Sequence, residues 1–149
     1  MLAAERLAEI EAKYGHMVER IVPIELDGET LRLIIYLKDG SNLRVTEQWE
    51  GRTLKRYSYY WLTSDNKLKI GWDNAPHHTR LETHPHHKHV GRRENLQPSK
   101  ETNLEEVMEV ILRHCGGTNF CGMVGAKAER GIGAKEDRKE SEGCDKGTS

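Results

Sequence analysis

The chain reads Leu31-Arg32-Leu33-Ile34-Ile35-Tyr36-Leu37 and, after Asp39-Gly40, Leu43-Arg44-Val45-Thr46-Glu47-Gln48-Trp49. Successive side chains of a strand point to opposite faces, so the first run has one wholly aliphatic side and the second alternates strictly. Asp-Gly between two such runs is a strong hairpin signal. These residues therefore predict two antiparallel strands with one buried face.

Glu47 is the unusual position in this hairpin, because it shares its side of the strand with Leu43, Val45 and Trp49. One interpretation is that the strand end twists into water. The other is a buried carboxylic acid with a raised pKa that can act as a general acid or base.

Further strands extend the pattern on both sides of the hairpin. Residues 17–26 are extended before Asp27-Gly28, and Pro23 within them favours an edge position. After Gly51, residues 53–62 carry Tyr57, Tyr59 and Trp61 on one side, and residues 68–72 form a fifth strand.

Helical patterns lie at the two ends of this strand region. Apolar residues recur at spacings of three and four over Ala3–Tyr14, and again over residues 104–112. Thr102-x-x-Glu105 fits a capping box for the second helix. The layout predicts an α+β fold: an antiparallel meander sheet of about five strands with an N-terminal and a C-terminal helix. We expect residues 1–114 to be a single domain and residues 115–149 a disordered tail.

Composition excludes several classes of protein. No apolar run reaches the roughly 18 residues of a membrane span, and the N-terminus does not resemble a signal peptide, so we expect a cytoplasmic protein without membrane contact. Three cysteines, none in a C-x-x-C pair, predict neither a disulfide framework nor a zinc ribbon. Residues 51–93 carry 9 Lys/Arg against 3 Asp/Glu, whereas both flanking regions are acidic. A basic block is typical of a phosphate-bearing partner, although it can also be a solvated surface.

Six of the eight histidines fall between His77 and His89, inside this basic block. Pro76 and Pro85 disfavour a helix there, so the segment is interpreted as a shaped loop after the fifth strand. Three uses are open: a metal site, a phosphodiester-cleaving site, or a polar loop that contacts a partner. RNA cleavage needs a base, an acid and cations, which imidazoles and neighbouring Lys/Arg side chains can supply without a metal.

Several short sequence motifs resemble those of the TumE family. They are Tyr57-Ser58-Tyr59-Tyr60-Trp61, Trp72-Asp73-Asn74-Ala75-Pro76-His77-His78, Pro85-His86-His87-Lys88-His89 and Pro98-Ser99 before the last helix. The resemblance covers roughly residues 15–113. It implies the toxin component of a toxin–antitoxin pair, whose neighbouring gene encodes a DNA-binding antitoxin that masks the toxin.

Together these observations predict the toxin of a type II toxin–antitoxin system that acts on RNA, as a metal-independent endoribonuclease without a cofactor. The alternatives are a non-catalytic binding module and a metal-binding protein that uses the same histidines. The expected partners are the antitoxin and RNA. The candidate catalytic residues are His86, His87 and His89, then His77 and His78, with Asp73 to orient a histidine. The candidate substrate-binding residues are Lys88, Arg56, Arg92, Tyr57 and Tyr59.

Overall fold

A computed structural model describes residues 1–116 of the chain. Its elements in order are α1 (Ala3–Tyr14), β1 (Arg20–Asp27), β2 (Thr30–Tyr36), β3 (Asn42–Glu50), β4 (Thr53–Leu62), β5 (Leu68–Asp73), β6 (His87–Val90), β7 (Leu96–Pro98) and α2 (Leu104–Gly116). The chain divides into two units, the first being residues 1–109 and the second beginning at residue 110. The first unit contains α1, the whole sheet and the start of α2; the second begins within α2.

The seven strands form one antiparallel sheet in the order of the sequence, so the predicted meander and both predicted helices are confirmed. The predicted count of five strands is wrong, because β6 and β7 continue the sheet beyond β5. Both additional strands are short. Hydrogen bonding of β6 to β5 and of β7 to β6 defines them, rather than a pattern of apolar side chains. β1 is an edge strand, as Pro23 predicted.

Two of the hairpin turns depend on glycine. Gly28 between β1 and β2 has a φ of 59°, and Gly51 between β3 and β4 has a φ of 61°. Backbone with positive φ is disfavoured for residues with a Cβ atom, so glycine is the residue that turns these strands without strain. The sequence had indicated a reversal at both positions.

One face of the sheet is the core of the first unit. Its centre consists of alternate residues of β2, β3 and β4, all of them buried: Leu31, Leu33, Ile35, Leu43, Val45, Tyr57, Tyr59 and Trp61. Ile10 of α1 and Leu104 and Met108 of α2 are buried as well. The predicted aromatic side of β4 is therefore a packing surface.

Glu47 lies on this covered face and is fully buried. Arg6 of α1 donates to it through Nε (2.7 Å) and Nη2 (3.1 Å), and the Tyr59 hydroxyl (2.7 Å) and Trp49 Nε1 (2.9 Å) also donate to it. The Arg6 guanidinium additionally bonds Glu105 of α2 at 2.9 Å. Of the two interpretations of Glu47, burial is correct, and its partners give the carboxylate a structural role.

Electrostatics around Arg6 follow from this arrangement. Burial by itself lowers the pKa of Arg6, but hydrogen bonds and charges from Glu47 and Glu105 more than offset that effect and raise it. Burial and then the charge of Glu47 raise the pKa of Tyr59. The cluster thus keeps a charged guanidinium and a neutral phenol at neutral pH, and it ties both helices to β3.

The start of α2 differs from the predicted capping box by one residue. Asn103 Oδ1 accepts a hydrogen bond from the backbone N–H of Glu106 (2.9 Å), and Glu106 in turn accepts one from the backbone N–H of Thr102 (2.8 Å). Glu105, the predicted capping acid, pairs with Arg6 instead.

Neither of the two described helices has the length and apolar character that crossing a bilayer requires. Cys115 and Gly116, which were assigned to the predicted tail, still belong to α2. Residues 117–149 of that tail lie outside the described residues. The predicted boundary of a single domain at residue 114 stays a prediction.

Candidate functional site

The register of the sheet assembles a polar cluster on the face opposite the helices. Directly paired residues of antiparallel strands project to the same face. Asp73 of β5 pairs with Ser58 of β4 and with His87 of β6. Two residues along, Gly71 pairs with Tyr60 and with His89. These side chains therefore lie together on the open face, whereas Tyr57 and Tyr59 point into the core.

Asp73 is the centre of the cluster. Its Oδ1 lies 2.8 Å from Nε2 of His87, and its Oδ2 lies 3.5 Å from Nε2 of His89. The Tyr60 hydroxyl donates to Oδ2 at 3.3 Å, and the backbone N–H of Ala75 donates to Oδ1 at 3.0 Å. All three acidic and imidazole groups are nearly buried, with exposed fractions of 8% for Asp73, 2% for His87 and 7% for His89.

The second nitrogen of each imidazole is held by the backbone. His87 Nδ1 lies 3.0 Å from the carbonyl oxygen of Pro85, and His89 Nδ1 lies 2.8 Å from that of Arg93. A carbonyl oxygen only accepts, so each Nδ1 carries a proton, a tautomer assigned here from its partner. These bonds fix the plane of both rings and direct both Nε2 atoms at Asp73.

Gly71 gives Tyr60 the room to reach Asp73. A Cβ atom at Gly71 would lie 2.8 Å from Cδ1 and Cε1 of the Tyr60 ring, closer than packed carbon atoms approach. The ring therefore lies over the glycine and meets His89 edge to face, with centroids 6.4 Å apart. Burial and then the charge of Asp73 raise the pKa of Tyr60, so its hydroxyl remains a proton donor at neutral pH.

Asn74 fixes the exit from β5. Its Oδ1 accepts from the backbone N–H of Tyr57 (2.9 Å), and its Nδ2 donates to the carbonyl oxygen of Lys55 (3.0 Å). The side chain thereby continues the pairing of β4 and β5 for one further residue. This explains in physical terms why Asp and Asn stand together at the end of the strand.

A cleft of about 420 Å³ opens over the cluster. Most of the residues that line it carry polar or charged side chains, among them Thr46, Gln48, Arg56, Ser58, Tyr60, Asp73, His77, His78, His87, His89 and Arg93. His78 meets His87 edge to face with centroids 4.8 Å apart. Among the described residues, no hydrogen bond is made by either ring nitrogen of His78. The cleft thus combines imidazoles, a carboxylate and two guanidinium groups.

Burial lowers the pKa of two neighbouring histidines, His86 and His87. Burial lowers the pKa of His87 more than the charge of Asp73 and the bond to Pro85 raise it. Burial likewise lowers the pKa of His86. Both rings are therefore held toward the neutral form.

The structure brings together only part of the residue set predicted from the sequence. His77, His78, His87, His89, Asp73 and Arg56 line the cleft. His86 does not: its Nδ1 lies 2.9 Å from the Tyr57 hydroxyl, and its ring stacks on that of Tyr57. Lys88 pairs with Trp72 across the strands and lies 3.8 Å from a carboxylate oxygen of Glu101.

Of the remaining predicted binding residues, Tyr57 borders the cleft and Tyr59 does not. Tyr57 and Tyr59 have exposed fractions of 4% and 0%, so neither ring offers a surface on which an RNA nucleobase can stack. Arg92 is exposed but does not line the cleft, whereas Arg93 does. The predicted substrate-binding residues did not include Arg93 or Tyr60. For Tyr60 a signal was present, since it shares its side of β4 with Arg56 and Ser58.

Comparison with known proteins identifies a family. A family model described as "Toxin TumE" matches residues 8–117. No curated protein and no solved structure matches the chain.

Proposed function

The chain belongs to the TumE toxin family, and on this premise we propose that it is the toxin of a type II toxin–antitoxin module and acts in the cytoplasm as an endoribonuclease. Its partners are then a cognate antitoxin, which masks it, and RNA. The observation that carries the proposal is the cleft on the open face, where Asp73, His78, His87 and His89 meet Arg56 and Arg93.

The composition of the cleft suits RNA cleavage. The 2′-hydroxyl of the ribose attacks the adjacent phosphorus, the bond to the 5′-oxygen breaks, and one proton leaves the attacking oxygen while another reaches the leaving oxygen. His87 and His89 have both ring nitrogens engaged. His78 lines the cleft beside them, and among the described residues its ring nitrogens make no hydrogen bond. We therefore assign proton transfer to His78 and stabilisation of the phosphate charge to Arg56 and Arg93.

The test of this function is induced expression of the chain with and without the product of the adjacent gene, followed by sequencing of RNA ends. An endoribonuclease produces growth arrest together with new RNA ends that appear within minutes of induction, and the antitoxin abolishes both. Growth arrest with unchanged RNA ends contradicts the nuclease and favours the non-catalytic binding module.

Binding of RNA should depend on the two arginines of the cleft. Arg56→Gln and Arg93→Gln should each weaken RNA binding and reduce the slope of log K against log salt concentration by about 0.7, the value for one phosphate contact on a single strand. A salt titration of binding by fluorescence anisotropy measures both quantities. Lys13→Gln, which removes a positive charge from α1 on the opposite face, is the control and should leave the slope unchanged.

A further inference from the structure

The donor atoms of Asp73, His87 and His89 converge to within 4.8 Å of one another. They come from two paired strands, β5 and β6, so the separation is fixed by the sheet rather than by a loop. His87 and His89 stand two residues apart on β6, so both side chains project from the same face of the strand.

The hydrogen bonds that each ring makes through Nδ1 leave its Nε2 available to bind a cation. Each Nδ1 donates its proton to a carbonyl oxygen, so in a neutral ring Nε2 carries a lone pair. That lone pair faces a carboxylate oxygen of Asp73, at 2.8 Å for His87. Two acceptors at this distance repel each other unless a proton or a metal ion lies between them.

The two rings are also close enough to share one ion. Their centroids are 5.1 Å apart, both rings are nearly buried, and each has its Nε2 next to a different carboxylate oxygen of Asp73. One divalent ion can therefore contact all three donors.

We propose that Asp73, His87 and His89 bind a divalent transition-metal ion of the Zn²⁺ or Mn²⁺ class. Two imidazole nitrogens and one carboxylate oxygen form a donor set that such ions accept. The bonds from Nδ1 to the carbonyl oxygens of Pro85 and Arg93 are the outer contacts that orient metal-binding histidines. The Tyr60 hydroxyl supplies a similar bond to the carboxylate.

Three protein ligands leave coordination positions open toward the cleft, which is typical of catalytic rather than structural sites. His78 borders those positions, with its ring centroid 6.3 Å from that of His89. A metal ion here would neutralise charge on a bound phosphate. That role in RNA cleavage rests on the proposed function, whereas occupancy of the site does not. The site departs from the metal-independent chemistry expected from the sequence.

Titration of the full chain with Zn²⁺ or Mn²⁺ alone tests the proposal. The chain is purified without an affinity tag, stripped with a chelator and titrated by calorimetry. We expect one ion per chain, and a loss of affinity of about 100-fold or more in Asp73→Asn with His89→Gln. His84→Gln, which removes an exposed histidine of the same segment, is the matched control and should bind like the unmodified chain.

A second readout does not depend on any variant folding. Paramagnetic Mn²⁺ should broaden the imidazole proton resonances of His87 and His89 at substoichiometric amounts and leave those of His16, on the turn after α1, sharp. Binding no tighter than that of the double variant, or broadening that does not favour His87 and His89, overturns the metal site.

The two proposals fail separately. RNA cleavage by a chelator-treated chain that binds neither ion retains the nuclease and refutes the metal site. Tight binding of one ion by a chain that leaves RNA intact retains the metal site and refutes the nuclease.

Discussion

Glu47→Gln should lower the free energy of unfolding by about 3–5 kcal/mol, the range observed when one partner of a buried ion pair is removed. Glutamine has nearly the same volume, so the loss reports the charge and the hydrogen bonds rather than a cavity. Glu47 is fully buried and accepts from Arg6, Trp49 and Tyr59, and without its charge the Arg6 guanidinium retains only its pairs with Glu9 and Glu105. Denaturant unfolding of the full chain measures the change.

Two further variants make this measurement specific. Glu50→Gln, at the end of the same strand, removes an exposed carboxylate that pairs with exposed Lys55, and it should leave the unfolding midpoint unchanged. Arg6→Met with Glu47→Leu replaces both charges by apolar side chains and should recover most of the lost stability. Equal midpoints for Glu47→Gln and Glu50→Gln would show that the buried pair does not form.

His87→Gln should reduce the rate of RNA cleavage by about 100-fold or more, because it removes a proposed metal ligand from the cleft, whereas His86→Gln should change it less than about 10-fold. The two residues are neighbours in sequence but lie on opposite faces of the sheet, so this pair of variants separates the cleft from the rest of the histidine segment. His87 contacts Asp73 in the cleft, and His86 contacts the Tyr57 hydroxyl. Single-turnover cleavage of an RNA by purified protein, with metal supplied, measures both rates.

His86→Gln also has an expected effect of its own. Loss of the bond to Tyr57 should reduce the free energy of unfolding by about 1 kcal/mol. This decrease confirms that the substitution removes the hydrogen bond. Circular dichroism of His87→Gln serves as the control for folding. If His86→Gln abolishes cleavage as completely as His87→Gln while remaining folded, the assignment of the reaction to the open face is wrong.

The elements that could be predicted from the sequence are those in which apolar side chains recur at a regular helical or strand spacing. Ala3–Tyr14 was predicted as a helix with the boundaries that the structure shows, and β2 to β4 follow the alternating runs between glycine-containing turns. In these elements the core fixes the pattern, because each strand buries one face and exposes the other. The burial of Glu47 was foreseen as one of two interpretations, but its partner Arg6 is 41 residues away and the sequence gives no sign of the pairing.

β6 and β7 were missed because backbone hydrogen bonds, not side chains, define them. His87–Val90 has four residues and only one of them is aliphatic, so it does not read as a strand. Because no strand was predicted here, residues 86–89 could not be divided between two faces of a sheet. His86 and Lys88 were therefore assigned to the same site as His87 and His89. The pairing register, which brings Asp73 opposite His87, is a tertiary property that no local pattern predicts.

The order of the strands has a kinetic consequence. Every strand pairs with its neighbour in sequence, so most backbone pairings close short loops and the relative contact order of the sheet is low. The contacts that join distant segments include the bonds of Arg6 to Glu47 and Glu105. We therefore expect the chain to fold by successive addition of hairpins, faster than a Greek-key sandwich of similar length. On this route the sheet forms early, and the two helices dock on it late.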